Sequence, residues 1–137
     1  MTGPDVEDEE RRWLRYARED LALAQALLER RHPVPRHPCW LSQQAAEKAI
    51  KAALVLTDGE APFVHDLEAL VNLLAEDWPE EVARADLEAL TPWASDARYP
   101  VERPEPTAEN AIHSVAEARK VYEAIAGEFA RRGVNGE

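Results

Sequence analysis

The stretch at residues 40–56, WLSQQAAEKAIKAALVL, is apolar or alanine at nearly every position outside one narrow strip. A helix greasy on most of its circumference has little face to offer water, so it belongs in the middle of a bundle. Gln44, Glu47, Lys48 and Lys51 recur three and four apart and make one polar ribbon, with Glu47 four residues before Lys51 in the favourable sense for an ion pair. Leu41, Ile50, Leu54 and Leu56 need apolar partners elsewhere in the chain, and Ala45, Ala46, Ala49, Ala52 and Ala53 allow those partners to come close. The remaining segments are expected to wrap this one.

They have the periodicity to do so. From about Asp8 to Arg30, Leu14, Ala17, Leu21, Ala24 and Leu28 alternate steps of three and four, which marks one buried helical face. Asp20 lies on the flank of that face, where a carboxylate is either half-buried beside a cation or hydrated. Prolines in RRHPVPRHP, residues 30–38, interrupt the pattern, because each removes a donor and restrains its predecessor, so the central helix is expected to start near Pro38 and end before Asp58-Gly59. Leu67, Leu70, Val71 and Leu74 predict a short third helix to about Ala75, with Asp66 and Glu68 in its first turn. Trp78-Pro79-Glu80-Glu81 opens a fourth, carrying Val82, Ala83, Leu87 and Leu90 and stopping at Thr91-Pro92. A proline-punctuated connection then leads to Thr107, an N-cap. Ala108, Ala111, Val115, Ala118, Tyr122, Ile125 and Phe129 form one face of the last helix, which closes near Gly133. No segment alternates with period two. The expectation is a single domain over residues 1–137, an all-α, up-and-down antiparallel bundle of four or five helices, with 1–7 and 132–137 fraying at the ends.

Charge and composition narrow the function. With 16 basic against 27 acidic residues the net charge is -11, which disfavours broad, sequence-independent binding to nucleic acid. One cysteine, Cys39, fits a reducing, cytoplasmic setting. The acidic start MTGPDVEDEE has no signal-peptide core, and no apolar run reaches membrane-spanning length. There is no glycine-rich phosphate loop. Metal binding is not expected: the cysteine is alone, and the Glu-x-x-His spacing occurs once, at Glu29 and His32, where the first helix runs into Pro33. No cofactor is implied. The four tryptophans, Trp13, Trp40, Trp78 and Trp93, either close the ends of the bundle or anchor an interface.

His65 opens the third helix and Arg98-Tyr99-Pro100 opens the long connection before the last one. Both can be structural, as a cap and a carboxylate clamp. Alternatively they edge a concave site with Lys48 and Lys51, a set suited to a nucleotide phosphate or an RNA backbone.

The order of these residues resembles a known family. A tryptophan-led first helix with Ala17-Arg18-Glu19-Asp20-Leu21 precedes Gln43-Gln44-Ala45-Ala46-Glu47-Lys48-Ala49-Ile50-Lys51-Ala52, then His65-Asp66-Leu67-Glu68-Ala69-Leu70 and Ala97-Arg98-Tyr99-Pro100. Together they resemble the HEPN domain family of small prokaryotic helical proteins. The resemblance implies a homodimeric bundle that binds a minimal nucleotidyltransferase partner, in several cases as a toxin–antitoxin pair; other members are metal-independent ribonucleases. Those ribonucleases carry an Arg and a His four to six residues apart, the His serving as general base or acid and the Arg stabilising phosphate charge. Here Arg98 and His113 are too far apart, and Arg30 or Arg31 with His37 sit in the loop between the first two helices. His113 shares a strip of the last helix with Glu117 and Lys120 that looks solvated. Val64 stands where relatives carry Ser or Thr, so His65 or a turn must satisfy the first amides of the third helix. The leading expectation is a non-catalytic protein whose groove is lined by Gln44, Lys48, Lys51, His65, Arg98 and Tyr99. The alternative is a ribonuclease toxin using Arg98 and His65.

Overall fold

The computed structural model describes residues 7–93 and 105–134, and among them there is helix and no strand. Three long helices carry the frame: α1 (Glu9–Leu28), α2 (Arg36–Asp58) and, last in the chain, α6 (Ala108–Arg131). Between them come α3 (Leu67–Leu73), α4 (Glu80–Arg84), α5 (Leu87–Leu90) and a 3-10 turn at Thr91–Trp93.

The stripe on α1 buries Leu14, Ala17, Leu21 and Ala24. In α2 burial extends round most of the helix, and all five alanines from Ala45 to Ala53 are fully enclosed. It begins earlier than the proline pattern suggests. Pro35 takes the N-cap position and Pro38 falls in the first turn, where backbone N–H groups have no intrahelical acceptor to lose. At its other end Gly59 adopts φ +89° and its N–H donates to the Val55 carbonyl at 2.9 Å, a left-handed stop that glycine makes without a Cβ clash. Thr107 starts α6 with a reciprocal capping box to Asn110.

Side-chain pairings across the helices fix their directions. Trp13 meets Lys51 while Asp20 meets Lys48, so α1 and α2 run antiparallel. Ser114 approaches Cys39 near the start of α2, and Phe129 joins Leu54 in the main core, so α6 runs alongside α2 in the same sense. The chain returns between them through residues 77–93: Asp77 pairs with Arg132, Asp86 with His113, and Trp93 packs on Ala111. This return is the remaining strut of the up-and-down bundle. It is not the continuous helix that Val82, Ala83, Leu87 and Leu90 suggest. Ala85 is extended, the Asp86 N–H donates to Glu117 Oε1 at 2.8 Å, and Asp86 Oδ1 accepts from the Ala89 N–H, capping α5. An aspartate that offers the backbone a local partner competes with helix continuation.

Leu14, Ile50, Leu54, Leu67, Leu70, Val82, Leu90, Ile125 and Phe129 form the main core, with Trp78 tilted against Phe129 at a ring separation of 6.1 Å. Trp78 and Trp93 are buried; Trp13 and Trp40 are half-buried. Most of the residues expected to fray, 1–6 and 135–137, lie outside the described ones. Glu7 accepts from Arg15 at 2.9 Å, and the Val134 N–H donates to the Phe129 carbonyl at 2.8 Å after Gly133 turns left-handed. No described helix is long and apolar enough to cross a membrane.

Candidate functional site

Gln43, Glu47 and Lys51 stand four apart, so their side chains form one file along α2. Glu47, only 6% exposed, is its centre. Gln43 Nε2 donates to one carboxylate oxygen at 2.9 Å, and Lys51 Nζ and His65 Nδ1 meet the other at 2.9 and 2.7 Å. Burial works most strongly against the charge on Glu47, but hydrogen bonds from Gln43, His65 and Lys51 overcome it and hold the carboxyl below its usual range. Lys51 is itself buried, with its ammonium 5.7 Å from the centre of the Trp13 ring.

The loop after α2 brings His65 to this file. Val64 packs against the main core, and Asp66 caps α3, accepting from the N–H groups of Glu68 and Ala69 at 3.0 and 3.3 Å. The cap expected of His65 or a turn thus comes from Asp66, leaving His65 free to reach Glu47. With Nδ1 turned inward to Glu47, Nε2 is the ring nitrogen left for another partner, and the side chain is 70% exposed. A buried carboxylate that orients a surface imidazole is the geometry of a proton acceptor or a hydrogen-bonding rim.

The second file turns away towards α1 and touches the first only through Gln44. Lys48 Nζ lies 2.6 Å from Asp20 Oδ2 and 6.0 Å from the centre of the Tyr16 ring, and Gln44 Nε2 donates to Gln43 Oε1 at 2.8 Å. Asp20 is therefore half-buried with a cation beside it. The ribbon that seemed single in the sequence divides: Lys51 and His65 converge on Glu47, whereas Lys48 turns to α1. Arg98 and Tyr99, with most of the expected connection, lie outside the described residues. Gln43 and Glu47 were not among the expected groove residues. The repeat of four from Gln43 through Glu47 to Lys51 is the signal that singles them out.

The strip expected to be solvated is so at His113 and Lys120, which are exposed, but not at Glu117. Glu117 is buried, accepts the Asp86 N–H and pairs with Lys120 at 2.7 Å, while His113 Nε2 sits 2.8 Å from Asp86 Oδ2. Burial opposes ionisation of Glu117 most strongly, yet Lys120 and the Asp86 amide hold its carboxyl below the ordinary range. These groups peg the broken strut to α6. Arg30, Arg31 and His37 are all exposed, the arginines just beyond α1 and His37 in the first turn of α2.

The model of the family described as HEPN domain matches residues 10–129. Among solved structures the fold is similar to TT1696 from Thermus thermophilus, at 28% identity and a TM-score of 0.75, covering 89% of this chain and 99% of that one. It is also similar to ST0689, an archaeal HEPN homologue, at 23% identity and a TM-score of 0.66, covering 89% and 98%, a likeness of fold alone. No curated protein sequence matches.

Proposed function

The chain belongs to the HEPN domain family, and on that premise we propose that it is a non-catalytic, homodimeric bundle that binds a minimal nucleotidyltransferase partner as half of a toxin–antitoxin pair. What supports this reading is that Lys48 and Lys51 each answer a carboxylate, at 2.6 and 2.9 Å. The two ammonium groups hold the bundle together and contribute little net charge to outside phosphate. Nucleotide is the candidate small ligand. Among the described groove residues, His65 offers such a ligand an exposed ring.

Co-expression with a minimal nucleotidyltransferase, followed by size-exclusion chromatography with light scattering, tests the proposal. A stable complex built on two copies of this chain is the expected outcome, and two proteins eluting separately would defeat it. Titration with ATP should raise the melting midpoint if nucleotide binds the folded state.

One observation favours the second reading, a metal-independent ribonuclease. His65 is oriented by Glu47 with Nε2 outward, as a general base would be. RNA incubated with the wild type, Arg98→Ala and His65→Ala in the presence of a chelator separates the two. Cleavage by the wild type that disappears in both variants would put the ribonuclease first.

A further inference from the structure

Phe63 is 99% exposed, while the residues on either side of it are held. Pro62 and Val64 are half-buried, Val64 against the main core, and His65 is clasped to Glu47 at 2.7 Å. A lone exposed apolar residue on a protein surface is ordinary. This one differs in how it is displayed. The clasp behind it uses a buried carboxylate and a buried ammonium, an arrangement that brings little net stability compared with apolar packing of the same volume. Such a network has a purpose if the shape of the loop matters. A fixed aromatic side chain also loses less freedom on binding than a mobile one.

The charge around it indicates what it meets. From residue 52 to residue 83 the chain contains no Lys or Arg, while Asp58, Glu60, Asp66, Glu68, Glu76, Asp77, Glu80 and Glu81 are acidic. Asp58, Glu60, Asp66 and Glu68, all exposed, flank Phe63 within five positions. A second copy of this chain presenting the same patch across a two-fold axis would set acid against acid. We infer that Phe63, held outward by the His65–Glu47 clasp, is the anchor by which this protein docks into an apolar pocket with a basic rim on its partner protein. The inference rests on the partner-binding reading above and adds which face is used and what the partner's surface must carry.

The test measures affinity between the purified chain and the nucleotidyltransferase of the co-expression experiment. Phe63→Ala should weaken binding at least about 30-fold, as truncation of a central aromatic anchor does, with an unchanged melting midpoint. Glu60→Lys should slow association, and added salt should weaken the wild-type complex. If the wild type binds and Phe63→Ala binds equally well, the anchor is wrong and the partner-binding reading stands. If the wild type does not bind, both fall. If Phe63→Ala instead splits a homodimer of this chain, the occupant is a second copy and the inference is overturned.

Discussion

Replacing Glu47 with leucine is the most informative perturbation of this bundle. It removes the one carboxylate that Gln43, Lys51 and His65 share, and leaves the Lys51 ammonium, 4% exposed, without a counter-charge. Breaking a buried ion pair from one side costs about 3–5 kcal/mol, most of it the penalty of the stranded charge. Two effects could reduce that cost: the lysine can lose its proton, or its long stem can swing the ammonium to water. Swinging out requires passage by the Trp13 ring, 5.7 Å from Nζ and itself packed on the main core. The larger figure therefore applies. For a chain of this size it corresponds to a fall in melting midpoint of roughly 10–20 °C. The double variant Glu47→Leu with Lys51→Met removes both charges and should recover most of the loss, falling short by about 1–3 kcal/mol for the buried Gln43 amide left without its acceptor. Urea titration of the four proteins of the cycle gives the coupling directly. A single variant costing less than about 1 kcal/mol, or a double variant worse than the single, would refute the buried-pair account. The sign of the pH effect follows from the same geometry. The folded carboxyl of Glu47 titrates below its unfolded value, so its stabilisation is complete above the ordinary carboxyl range and is lost as pH falls through the lower folded value. Glu47→Gln should flatten the acid limb of stability against pH.

Two further measurements test the packing. A Cβ at Gly127 in α6 would meet only Arg131 Nη1, at 3.8 Å, so Gly127→Ala should stabilise by about 0.5–1 kcal/mol, whereas Gly59→Ala at φ +89° should destabilise by about 1 kcal/mol, both read from urea midpoints. Burial pushes the Cys39 thiol up to about 11, against a weaker opposing hydrogen bond from Ser114, so iodoacetamide in mildly alkaline buffer should leave the folded protein unmodified and label it in concentrated guanidinium; rapid labelling of the folded protein would contradict that placement.

The long helices were legible because their stripes answer to a period that local sequence carries: Leu14, Ala17, Leu21 and Ala24 are all buried where steps of three and four put them. The same period misled at the fourth helix. Val82, Ala83, Leu87 and Leu90 keep a helical rhythm across a backbone break whose cause, the bond from the Asp86 amide to Glu117, spans 31 positions. On α6 the stripe holds at Ala111, Val115, Ala118, Ile125 and Phe129 and misses at two places: Ala108 is exposed, and Tyr122 is half-buried beside a buried Val121. Polar spacing on α2 fixed which side chains share a file but not whether water or protein faces them. Glu47 and Lys51 lie inside because α1 and the His65 loop close over them, and both come from elsewhere in the chain. Sequence spacing could not reveal that enclosure.

The articulated third strut gives this fold an uneven tolerance of change in length. One residue added within α2 would rotate every later side chain of that helix by about 100°, turning Lys51 away from Glu47 and carrying leucines into water. The joints at residues 74–79 and at Ala85 are not helical. Residues inserted there could be accommodated as longer bends while the pegs at Trp78, Asp86 and Trp93 keep their seats. Relatives should therefore differ most in length along this wall, and grafted segments should be accepted there before anywhere on the three rods.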